Sequence, residues 1–172
     1  MSYRRDPAAA PRLRGVTRWL DTRFRSPAAI YGLIVFAAFL SVDSDDAHDV
    51  WELLRTALLS LLIFFLAHVF AHTLTDHGER GLARATGDAV QHAAGMLYAA
   101  LPASVVLVLA ALQEWSVDDA YGAAMWVTVA VLAVLGYVAY WRRGAHVLVR
   151  LLGSAGTAAL GVLIIMLEYA IH

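Results

Sequence analysis

The chain has 172 residues, 60% of them hydrophobic and 16% charged, with a mean hydropathy of +0.64 and a formal net charge of −1. Soluble domains run nearer about 45–50% apolar and about 25% charged, so this composition excludes an ordinary water-soluble domain and fits one membrane-embedded domain. Cysteine and lysine are both absent, which excludes disulfides, thiolate metal sites, Cys nucleophiles, Schiff-base chemistry and a phosphate-loop lysine.

Residues 1–26 form an Arg-rich segment ahead of the first apolar stretch. Within it Leu13, Val16, Leu20 and Phe24 fall at helical spacing beside Trp19, while Arg12, Arg14, Arg18, Arg23 and Arg25 occupy much of the remaining surface. This pattern predicts a cationic amphipathic helix lying on the inner leaflet, with Trp19 and the arginines against anionic headgroups. Seven arginines precede the first apolar stretch and four more apolar stretches follow it, so the chain reads as uncleaved and polytopic.

Ser26-Pro27 is a helix-start signal, with an N-cap residue followed by proline at the first helical position. Residues 27–172 then hold five predicted transmembrane helices, at about 27–42, 51–73, 89–112, 120–141 and 147–171. The fold class is therefore all-α: a five-helix membrane bundle preceded by an interfacial helix. Twelve of the 13 arginines lie in the N-terminal segment or near the connections after the second and fourth spans. The positive-inside rule then places the N-terminus in the cytoplasm of a bacterial inner-membrane protein and the C-terminus outside. Trp51, Trp115, Tyr121 and Tyr169 at the outer boundary, and Tyr140 and Trp141 at the inner one, suit the aromatic belts.

Two features bear on packing. Gly153, Thr157 and Gly161 recur every four residues on the fifth span, a small-residue stripe for a neighbouring helix or for a homodimer partner. Pro102 removes a backbone hydrogen bond from the third span and predicts a kink there.

The residues that could carry chemistry gather at the cytoplasmic end. His68 and His72, at i and i+4, share one face of the second span, and Asp88 and His92 have the same spacing at the start of the third. Spans two and three are joined by a polar connection of about 15 residues and run antiparallel, which brings the three histidines and the carboxylate to similar depth, with His92 facing His68. Imidazole and carboxylate suit a divalent metal, and titration near neutrality suits a proton relay. Interfacial histidines without a ligand are the competing reading, and b-type haem between His68 and His92 is a third. Arg55 and Glu168 each lie about a turn inside the outer boundary, where a cross-bundle ion pair or local pairing of Arg55 with Glu52 would reduce the cost of each charge. His146, beside Arg143 and Arg150, suits a lipid headgroup. No Gly-rich phosphate loop, no catalytic constellation and no nucleic-acid-binding signature is present, so the chain reads as a non-enzyme.

From Val129 to His172 the chain carries Leu132-Ala-Val-Leu135-Gly136, the Arg142-Arg143 connector and a Gly-spaced final helix. This segment resembles the C-terminal helix pair of the vacuolar iron transporter family. The resemblance implies five spans, a cytoplasmic N-terminus and cation transport. The family's first-span carboxylate has no counterpart in Tyr31-Gly32-Leu33-Ile34-Val35-Phe36, and Phe64, Phe65, His68 and His72 replace its Met- and Glu-bearing second span. Two functions follow from the sequence: a cation transporter or channel-like protein using the histidines, and a membrane-embedded structural or regulatory subunit without a substrate.

Overall fold

A computed structural model describes residues 27–141 and 143–171, leaving aside the side chains of residues 27, 76–80, 168, 169 and 171. Among these residues there are five helices and no strand: α1 Pro27–Ser44, α2 Val50–Arg80, α3 Leu82–Leu112, α4 Val117–Trp141 and α5 Val147–Ile171. Helices α2 to α5 each hold a stretch long and apolar enough to cross a membrane, and α1 is apolar but shorter. The protein is an all-α, multi-pass membrane protein. The amphipathic segment with Arg12, Arg14, Arg18, Trp19, Arg23 and Arg25 lies outside the described residues.

The polar connection expected between the second and third spans is not a loop. Helix continues to Arg80, breaks at Gly81 alone and resumes at Leu82. Gly81 has φ +77° and ψ 147°, a positive-φ conformation that breaks the helix and that glycine adopts without a Cβ penalty. Each of α2 and α3 thus has 31 residues, about 46 Å at 1.5 Å per residue, against a hydrocarbon core of about 30 Å. Helix α3 passes through Pro102 as one element.

Short connections force neighbouring helices to run antiparallel, and the contacts agree. Tyr31 on α1 meets Phe64 on α2, Thr73 on α2 meets Thr86 on α3, and Gly136 on α4 faces Gly153 on α5. The bundle therefore has an acidic end, with the 45–49 and 113–116 connections, and a basic end, with Gly81 and the 142–146 turn. At the acidic end two helix starts are capped by side chains. Asp49 Oδ1 accepts from the Glu52 N–H at 2.7 Å while Glu52 reaches back to the His48 N–H, a reciprocal cap for α2. Ser116 Oγ accepts from the Asp119 N–H and donates to the Asp119 carboxylate, which does the same for α4.

Small residues decide which helices come close. Helix α1 touches all four others and buries Ala29, Leu33, Phe36, Ala37 and Leu40 completely. A Cβ at Gly32 would strike the Met96 backbone, so glycine is what allows α1 and α3 to cross there. Down α3, Ala85, Ala89, Ala93, Ala99, Ala103 and Ala110 are buried, an alanine seam of the kind that substitutes close van der Waals packing for the missing hydrophobic drive in lipid. The Gly153, Thr157, Gly161 stripe faces α4 rather than a second chain. Thr157 Oγ1 donates to the Leu132 carbonyl at 2.7 Å, Gly153 admits the Tyr140 ring, and Gly161 sits on Val129 and Leu132.

Among the described residues the only buried polar side chains are Ser104 and Thr128, and each donates to a carbonyl one turn back on its own helix, those of Ala100 and Ala124. Among the described residues the interior is otherwise apolar.

Candidate cation site

The histidines lie on the α2–α3 hairpin at the basic end. Behind them, Val69 packs on Ala89 and Ala93 with Phe65 against the cluster. The alanines allow close approach, and Thr73 Oγ1 lies 3.5 Å from Thr86 Oγ1 across the hairpin one residue beyond His72. This seam fixes the register that sets the rings side by side. His68 and His72, one helical turn apart, have ring centroids 4.8 Å apart, and His72 and His92 have centroids 6.0 Å apart. The imidazoles form a continuous row crossing from α2 to α3.

His92 meets His72 across the hairpin and is exposed, whereas His68 and His72 are half-buried. The alanine seam explains this: with Ala89 and Ala93 turned into the interface, His92 is carried to its margin. Asp88 lies one turn before His92 and is exposed. No three histidine, aspartate or glutamate side chains among the described residues converge as a metal-holding group. The rings follow one another from α2 to α3, a set of neighbouring bases that can bind a proton or take a metal at the His68/His72 pair.

Depth follows from helix geometry. Taking Trp51 as the acidic-end boundary, His68 lies about 26 Å along the axis and His72 about 32 Å. A hydrocarbon core of about 30 Å then ends between them. On that placement, with α2 along the membrane normal, His68 would fall inside the apolar slab and His72 at its edge.

At the opposite end, Arg55 is exposed and its Nε donates to its own helix's Trp51 carbonyl at 3.2 Å. Glu52 pairs with His48 at 3.2 Å, not with Arg55. The side chain of Glu168 lies outside the described residues. Two cavities were not legible in the chain order. One, of about 460 Å³, lies at the acidic end between Asp49, Trp51, Glu114 and Trp115; Glu114 there has φ +55°. The other, of about 330 Å³, opens between α4 and α5. The only sequence signal for the first was the shared boundary position of the two tryptophans, and for the second the glycines of the last span. Nearby, Asp43 Oδ2 in the last turn of α1 is buried without a hydrogen-bond partner among the described residues.

Compared with known proteins, the chain matches no family model, no curated protein and no solved structure.

Proposed function

We propose that this is a membrane-embedded subunit that binds a cation, a proton or a divalent metal, at His68, His72 and His92 on the cytoplasmic side. The observation that carries the reading is the run of three neighbouring imidazoles that bridges α2 and α3. Ionisable groups at that depth carry a cost that a ligand or a shared proton offsets. The clustering of arginine at this end supports its cytoplasmic placement. The apolar core among the described residues favours a subunit over a self-contained channel, since Ser104 and Thr128 are both bonded to their own helices.

The test is calorimetric titration of Zn²⁺ and Mn²⁺ into the purified protein, followed by proton and metal flux in liposomes. A metal held by neutral imidazoles should lose affinity as pH falls through about 6.5, the ordinary histidine value. His72 touches both other rings, so His72→Ala should weaken binding most, His68→Ala and His92→Ala less, and His48→Ala at the far end not at all. A proton-sharing row would bind no metal but would show histidine titrations that move together, by NMR, when His72 is removed. Four variants indistinguishable from wild type in both measurements would sink the site. Flux through the wild-type chain alone that His72→Ala abolishes would replace the subunit reading with a transporter.

A further inference from the structure

The cavity between α4 and α5 lies on the membrane-facing side of the bundle, at the basic end, and its shape is not explained by the packing of the protein. Its walls are Tyr140 on α4 and Val149 and Leu152 on α5, and its floor is the bare backbone at Gly153 and Gly156 with Thr157 beyond. Gly153 has an internal reason to be glycine, because the Tyr140 ring occupies the place of its Cβ. Gly156 has none: nothing lies within 4 Å of a Cβ built there. Glycine within a helix is destabilising relative to alanine, so this residue keeps the floor low without any gain in contact between the helices.

The residues that adjoin the groove lining in the chain, at the start of α5, are cationic. Arg143 and His146 are exposed in the turn, and Arg150, half-buried, projects one turn before Gly153. Arg150 Nε donates to the Ala145 carbonyl at 2.7 Å, which tethers the guanidinium at the turn and leaves its other N–H donors for a ligand. The His146 carbonyl takes the first bonds of α5, from Val149 and Arg150, so the helix begins here with its positive dipole end toward the same spot. Gly144, at φ +67°, makes the tight return that brings Arg143 beside α5.

We propose that this groove holds one anionic phospholipid, with an acyl chain over Gly153 and Gly156 and the phosphate at Arg143, His146 and Arg150. The groove is apolar where the bilayer is apolar and cationic where headgroups begin, which is the charge and polarity profile of that one class of molecule. A second copy of the chain fits less well. A two-fold dimer with its axis normal to the membrane would set the basic mouth of one copy against that of the other.

Native mass spectrometry of the full-length protein in detergent, titrated with phosphatidylglycerol or phosphatidylcholine, tests this directly. The wild type should retain one phosphatidylglycerol per chain at collision energies that strip phosphatidylcholine. Arg143→Gln with Arg150→Gln should lower phosphatidylglycerol retention by about five-fold for each arginine removed and abolish the preference over phosphatidylcholine. Gly156→Leu, whose side chain starts in open space, should fill the groove and lose the retained lipid while keeping the wild-type circular dichroism and elution volume. Equal retention of the two lipids by the wild type, or undiminished phosphatidylglycerol on Gly156→Leu, overturns the proposal. So does a wild-type dimer that Gly156→Leu converts to monomer with lipid retention unchanged, since the groove would then belong to a second copy. Should Gly156→Leu fail to fold, the arginine pair decides by the same ratio.

Discussion

Helices α1 and α5 are both apolar over most of their length, yet they sit in opposite surroundings. Helix α1 has 18 residues and, among its described side chains, only Tyr31, Ala38 and Val42 are exposed. Helix α5 has 25, and only 6% of its most apolar window is buried in protein. In water, apolarity on every face marks a helix for the interior. In lipid it carries no such information, because the tails are as apolar as leucine. What separates the two helices is where glycine and alanine stand and whom they meet. Gly32 meets Met96 in the middle of the bundle, while the α5 glycines admit α4 alone or face outward.

Substitutions should reproduce that contrast in graded form. Gly32→Val puts branched carbon onto the Met96 backbone and should abolish the folded, monodisperse protein, seen as loss of the main elution peak after detergent extraction. Leu33→Ala removes a completely buried side chain next to it and should lower stability by about 2–5 kcal/mol in a detergent-micelle unfolding titration. Thr157→Val keeps the shape but deletes the donor to the Leu132 carbonyl, with an expected loss of about 0.6–1.7 kcal/mol by the same titration. Leu163→Ala, on an α5 side chain 60% exposed, should change stability by less than about 0.5 kcal/mol. If Leu163→Ala costs as much as Leu33→Ala, α5 has a protein partner where lipid is now inferred, and the contrast between the helices fails.

The helical architecture was legible because membrane crossing needs only length and hydropathy, and those are local. The extent of α2 and α3 was not: Asp76 to Arg80 read as a polar connection, whereas the helix runs on through Gly78 to Arg80 and breaks only at Gly81. That His68, His72 and His92 would be neighbours was also legible, since i, i+4 spacing and an antiparallel hairpin suffice to bring their rings near one another. Which ring meets which was not, because that depends on the rotation of α3 about its axis, and Ala89 and Ala93 set it by packing on Val69. The role of Gly153 and Thr157 stayed open between α4 and a second chain, as small residues announce a close neighbour without naming it. Arg55 is the opposite case: the nearest carboxylate in sequence, Glu52, is already taken up by His48 and the α2 cap.

The brevity of α1 has a consequence for the membrane itself. The described residues of α1, 18 in all, measure about 27 Å, less than a bilayer core of about 30 Å, and a lone helix of that length would force the lipid to thin around it. Here its perimeter is mostly protein, so hydrophobic mismatch falls on α2 to α5, which have length to spare and can tilt. The chain should consequently tolerate bilayers of differing thickness, with the tilt of its outer helices changing and the helix at its centre remaining indifferent to acyl-chain length.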